Sequence, residues 1–149
     1  MGDADPFELT KATPVRLEHL VQELGPEKLD VAPAPGKWSV RDILCHLADC
    51  EIVFAFRLRQ ALAEDRHVIQ PFDQDAFALT YSKYDARTAL NVFSAVRQWN
   101  MALLSALQPA DFDKPLNHPE RGDMTLMVIV ETMAGHDKNH LKQVEKFLD

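Results

Sequence analysis

Apolar residues recur every three to four positions along four stretches of this 149-residue chain, and no stretch alternates with a period of two for more than a few residues. Such spacing gathers apolar side chains on one face of a helix, and that face must be buried against another element. The pattern predicts an all-α fold: a four-helix bundle with long connections, forming one domain over residues 1–149.

The first helix reads from Pro6 or Pro14 to Leu24, because Asp5-Pro6 and Thr13-Pro14 are both cap-plus-first-turn pairs; Leu17, Leu20, Val21 and Leu24 form its stripe and Gly25 stops it. The second has the clearest start. Ser39 is the N-cap, Asp42 completes a capping box, and Trp38 and Ile43 stand at the positions of a hydrophobic staple. Its stripe runs through Val40, Ile43, Leu44, Leu47, Cys50, Phe54, Leu58 and Ala61.

A connection from Glu64 to Asp85 contains a short helical turn around Asp73–Leu79, and Asp85 then caps a third helix reaching Leu107. Val92, Val96, Trp99, Leu103 and Leu107 are its expected inner side. The polar segment PADFDKPLNHPERGD reads as a loop, after which Thr125 caps a fourth helix to about Leu148, with Leu126, Val130, Met133, Asp137, Leu141 and Val144 in its stripe. Loops this long do not impose simple up-down-up-down order.

A formal net charge of −7, with no Lys/Arg run, argues against a nucleic-acid partner. No stretch approaches the roughly 18 apolar residues of a membrane span, and MGDADPFELT has neither a basic nor an apolar segment, so a cytoplasmic location is expected. Cys45 and Cys50 lie on one helix, pointing in different directions, and do not form a bridge with each other; a reducing compartment fits.

The chemistry is carried by histidine. His136 and His140, four apart in GHDKNH, place both imidazoles on one helical face within reach of a single ion. At 100° per residue the pair lies beside Ile129, Met133, Val144 and Phe147, away from Lys138, Lys142 and Glu145, and so faces a partner helix. His46 stands on the flank of the second helix's stripe. Three imidazoles from two helices would leave a coordination position open, as in catalytic rather than structural sites.

Cys50, one turn after His46, could reach the same ion. Asp49 and Asp137 could orient imidazoles, and Glu51 and Gln143 could line a pocket mouth. His19 reads as packing or surface; His67 and His118 fall in connections and read as solvated, although His118 could rim the site.

PAPGKWSVRDILCHLADCE followed, some eighty residues later, by a helix ending GHDKNHLKQVEKFL resembles the DinB-like (DinB/YfiT) superfamily of four-helix metalloproteins, a group that includes bacillithiol transferases and mycothiol-dependent enzymes. The resemblance implies up-down-down-up helix order, a divalent ion, zinc or nickel, held by His46, His136 and His140, and a homodimer.

Together these observations lead to an expected metal-dependent enzyme that activates a low-molecular-weight thiol for attack on an electrophilic small molecule. Alternatives are a metal-dependent hydrolase and a non-catalytic metal-binding or stress-response module. Peptidase chemistry of the HExxH kind is disfavoured, because Asp137 rather than Glu follows His136.

Overall fold

The computed structural model describes residues 4–149. Helix α1 spans Pro6–Leu24, α2 Val40–Ala63, the short α3 Gln74–Ala78, α4 Ala86–Ser105 and α5 Leu126–Glu145. Their ends follow local chemistry. The Ser39 hydroxyl accepts the Asp42 amide at 3.2 Å while Asp42 Oδ2 accepts the Ser39 amide at 3.0 Å, which closes the box at the start of α2. Asp85 caps α4 by accepting the Thr88 amide at 2.7 Å. Gly25 ends α1 at φ +80°, a conformation that glycine adopts without strain.

Of the two possible starts for α1, the structure uses Asp5-Pro6 and leaves Pro14 inside the helix. Proline has no N–H to give the carbonyl four residues back, so the Thr10 carbonyl loses its helical partner. Arg97 of α4 fills the vacancy, its Nη1 lying 2.7 Å from Thr10 O.

Side-chain pairs give the directions of the long helices. Thr13 meets Asp137 and Arg16 meets Glu145, so α1 and α5 run parallel. Glu51 meets Arg97 and Arg59 meets Asn100, so α2 and α4 run parallel. Glu18 pairs with Arg87, and Thr10 with Arg97 and Met101, which makes α1 antiparallel to α4. The order is up-down-down-up: α1 and α2 each pack on both α4 and α5, so α1 lies diagonal to α2 and α4 diagonal to α5.

The connections hold structure too regular for the loops the sequence suggests. β1 (His67–Val68) pairs in parallel with β2 (Pro115–His118), which forms an antiparallel hairpin with β3 (Gly122–Thr125). Strands of two to four residues are too short to carry a periodic signal.

The expected inner side of α4 also needs correction. Trp99 is 67% exposed and Val92 lies at the surface, whereas Ala86, Ala89, Leu90, Phe93, Arg97, Asn100 and Leu104 are buried. A buried arginine at the middle of the true stripe makes the neighbouring, all-apolar face read as the inner one.

Arg97 explains why the core is in two parts. One apolar cluster includes Leu17, Leu44, Phe93 and Leu141; the other includes Leu58, Leu104, Leu126 and Met133. Between them, Arg97 Nε and Nη2 grip Glu51 at 2.7 and 2.8 Å, while Nη1 and Nη2 grip Asp137 at 2.6 and 3.0 Å. With Thr10 O, all five N–H donors are used. Asn100 donates to Glu51 and Thr13 to Asp137. Burial by itself would depress the arginine's pKa, but the two carboxylates outweigh it and keep the guanidinium charged.

Replacing Arg97 by Met should strand two buried carboxylates and lower stability by about 3 to 5 kcal/mol in urea denaturation. Adding Glu51→Gln and Asp137→Asn to that variant should recover a large part of the loss. If Arg97→Met alone costs under about 1 kcal/mol, the network does not hold the helices together.

Candidate metal centre

His46 stands two turns into α2 after the Ser39 cap, and His136 and His140 occupy successive turns of α5. Because α2 and α5 pack antiparallel, the three rings meet. His46 Nε2 is 2.9 Å from His136 Nε2, and His140 Nε2 is 3.1 Å from the same atom. Ring centroids are 4.4 to 4.9 Å apart. The histidines read from the sequence as one cluster are therefore brought together at hydrogen-bond distance.

Three nitrogens so close are not explained by hydrogen bonding alone. His140 Nδ1 lies 2.7 Å from Gln143 Oε1 and donates to it, leaving His140 Nε2 as a bare lone pair aimed at the centre. Nitrogens bound tetrahedrally to one zinc at 2.0–2.1 Å lie about 3.3 Å from each other. The observed spacing is close to that, and a neutral, nitrogen-only donor set suits a borderline-soft divalent ion. The residues fit a metal.

Burial prepares them for it. Desolvation first, and the neighbouring His140 second, lower the His46 pKa to about 4; desolvation and then His140 and His46 lower that of His136 to about 3. His140 is lowered mainly by burial, with the Gln143 bond opposing. All three are neutral, the form that binds metal, throughout the physiological range.

Cys50 is a near neighbour: its sulfur and the donor atoms of His46 and His136 lie within 4.8 Å of one another. The sulfur is 3.7 Å from His46 Nδ1 and 3.6 Å from Nε2. An atom equidistant from both ring nitrogens stands off the Cε1 edge or the ring face, away from the Nε2 lone-pair axis. An ion on that axis would be roughly 4 Å from the sulfur, against a Zn–S bond of about 2.3 Å. Burial also pushes the Cys50 thiol up to about 12. Cys50 thus packs beside the histidines, and only a rotated side chain would reach their ion.

The remaining expectations separate. Asp137 orients no imidazole, since Arg97 and Thr13 engage both its oxygens. Glu51 is held by Arg97 and Asn100 and is 1% exposed, so it lines no pocket mouth. Asp49 has no hydrogen bond to a histidine; it perturbs, and is perturbed by, the buried Tyr81 hydroxyl, without a hydrogen bond closing between them. Gln143 is the residue that orients a ring, and it also lines a cleft of about 700 Å³ with Trp38, Ile43 and Phe147. Trp38 walls the site, its ring 4.9 Å from that of His46.

His19 is exposed. His67 and His118 are buried in strands rather than solvated, and His67 Nδ1 lies 2.6 Å from Glu64 Oε2.

The sequence pattern of the DinB superfamily matches residues 9–144. The chain belongs to the DinB superfamily. A relative from Oceanobacillus iheyensis, named "putative metal-dependent hydrolase", is 31% identical over 132 residues, covering 88% of this chain and 77% of its own.

Among solved structures, YfiT from Bacillus subtilis, described as "a probable metal-dependent hydrolase with an unusual four-helix bundle topology", aligns with a TM-score of 0.86 at 23% identity, over 95% of this chain and 83% of its own. The mycothiol-dependent maleylpyruvate isomerase aligns with a TM-score of 0.70 at 10% identity, over 94% of this chain and 60% of its own. At these identities the two structures share the DinB fold with this chain.

Two outcomes follow from the geometry. Histidines in the unfolded chain bind protons near pH 6.5, while the folded chain resists doing so until about pH 4 or below, so the unfolded state holds more protons between those values. Stability of the metal-free protein should therefore fall as pH drops from 6.5 towards 4, and denaturant midpoints should show a shallower fall for His136→Asn. Second, Gln143→Leu should weaken zinc affinity 10- to 100-fold in competition with a chromophoric chelator. Unchanged affinity would mean that the Gln143 contact does not orient His140 for metal.

Proposed function

We propose that this DinB superfamily protein is a metal-dependent enzyme in which His46, His136 and His140 hold one divalent ion, zinc or nickel, and which transfers a low-molecular-weight thiol to an electrophilic small molecule. The observation that carries the reading is the convergence of three neutral Nε2 atoms beside a cleft, with the two nearby buried acids, Glu51 and Asp137, both committed to Arg97. An ion with three imidazole ligands keeps its full double charge and lowers the pKa of a thiol or water in its remaining position.

What the chain supplies distinguishes the two nucleophiles. Water attack is helped by a general base within hydrogen-bond reach, and Glu51 and Asp137 cannot serve because Arg97 and its partners hold their oxygens. A thiol needs less help, since its pKa starts about seven units below that of water. Gln143 holds His140 in the binding tautomer, and Trp38 covers one side of the cluster and limits water there.

The names of the relatives favour a second reading, hydrolysis of an ester or amide at the same centre. A homodimer is a further part of the proposal. Ile52, Phe56 and Trp99, each more than half exposed, present large apolar surface on the adjacent α2 and α4.

Elemental analysis of protein purified without a metal-affinity tag should find one zinc or nickel per chain, lost in His140→Ala. The loaded protein should then consume bacillithiol, cysteine or glutathione with a chromogenic electrophile, with the rate falling at least 100-fold on chelation. Full metal loading with no thiol transfer would overturn the leading reading, and chelator-sensitive cleavage of nitrophenyl esters would put hydrolysis in its place. Sedimentation at micromolar concentration tests the dimer; a monomer there removes it.

A further inference from the structure

Most arginines of this acidic chain are spoken for. Arg16, Arg41, Arg87 and Arg97 pair with carboxylates, and Arg59 donates to Asn100 and to the Ala55 carbonyl. Arg57, Arg66 and Arg121 have no carboxylate within ion-pair distance among the described residues, and of these Arg57 on α2 and Arg121 on the β2–β3 turn line one cleft of about 410 Å³. We propose that Arg57, Arg121 and His118 form a recognition site for a small oxyanion, a carboxylate or phosphate carried by the substrate of the adjacent histidine centre.

Three features support a built site. Arg57 is held in place, its Nη2 donating to Gln70 O at 3.2 Å and its guanidinium 5.8 Å from the Phe72 ring centre, yet its Nε is buried without a partner. His118 is 93% buried by its 7% exposure, and its Nδ1 accepts the Glu120 amide at 3.1 Å. That bond puts the ring proton on Nε2, which has no hydrogen-bond partner among the described residues. Burial, and then the repulsion of Arg121, lower the pKa of Arg57, as expected of two guanidinium groups close together with no anion between them.

The cleft itself is mixed, because the exposed Asp73, Asp75 and Glu120 also line it. Deeper in, the sign is settled. Arg57, His118 and Arg121 also border a neck of about 20 Å³, whose remaining wall is apolar side chains and Thr132, with no carboxylate. Thr132 gives its hydroxyl proton to Val128 O. The neck has room for about one water-sized group, such as one oxygen of a carboxylate or phosphate whose remainder stays in the wider cleft.

Phe54 forms one wall of this neck, and its ring is 6.0 Å, edge to face, from that of His136. Phe54 therefore borders both the cationic neck and the ring of His136. An anion held at the arginines would lie one aromatic ring away from His136, and this assignment of substrate class rests on the proposed enzymatic reading. The binding site does not.

Calorimetric titration of the metal-free protein with inorganic phosphate and, separately, with succinate distinguishes the two oxyanion sources. Saturable 1:1 binding of at least one is expected, weakening as sodium chloride is raised. Arg57→Met and the exposed Arg121→Glu should each reduce affinity at least tenfold, with Arg16→Met on α1 as an unaffected control. Arg121 is at the surface, so its variant reports on binding even if Arg57→Met unfolds. No saturable binding of either anion, or equal affinity in Arg121→Glu, overturns the proposal. Where anion binding holds but Arg121→Glu fails to raise KM selectively for a carboxylated electrophile over its neutral analogue, the site stands and its assignment to the substrate falls; a loaded protein with no turnover at all overturns the enzymatic reading and leaves the anion site standing.

Discussion

A guanidinium buried where the four long helices meet is the constraint from which the rest of the architecture follows. Arg97 comes from α4, its acids come from α2 and α5, and its fifth donor is answered by a carbonyl of α1 that Pro14 has left unbonded. A charge this deep is tolerable only with every partner in place, so the helices cannot slide or rotate independently. The apolar core is accordingly divided into two clusters, with a polar layer between them at the level of Arg97.

The same constraint aims the histidines. Asp137 is pinned towards Arg97, and on an α-helix His136 and His140 lie about 100° and about 60° to the same side of it. That rotation turns both rings to α2, where His46 stands less than two turns before Glu51, the other acid that Arg97 grips. Structure and chemistry are linked here by helix geometry. By holding Glu51 and Asp137, the arginine also leaves the centre with nitrogen donors and few free carboxylates, which favours a nucleophile that ionises easily over one that needs a base.

Much of this was legible in the chain. The capping box at Ser39, the stripe of α2 and the inward direction of His46, His136 and His140 are local properties, and all appear in the structure as the periodicity predicts. Errors arose where a polar residue is buried. Arg97 broke the apolar pattern of α4, so the face carrying Trp99 looked like the inner one, and Asp137 looked free to serve an imidazole. Nothing in the spacing marked Arg97 as buried, because its burial depends on carboxylates 46 residues before it and 40 after it. His118 and His67 were misjudged for a related reason: strands of two to four residues leave no period to read.

The sequence by itself determined the helices, the caps at Ser39 and Asp85, the apolar faces of α1, α2 and α5 and the presence of three histidines turned inward, since these depend on side chains within a turn or two of each other. Only the tertiary structure decided which helices became neighbours and which charges were neutralised. Long connections left the helix order open, and placing α1 diagonal to α2 and α4 diagonal to α5 then brought together residues from opposite ends of the chain. Three imidazole nitrogens share a centre, Gln143 sets one tautomer, and two unpaired arginines border a neck beside Phe54 for that reason. Helical period encodes which way a side chain faces, whereas what it meets is decided by segments far away in the chain.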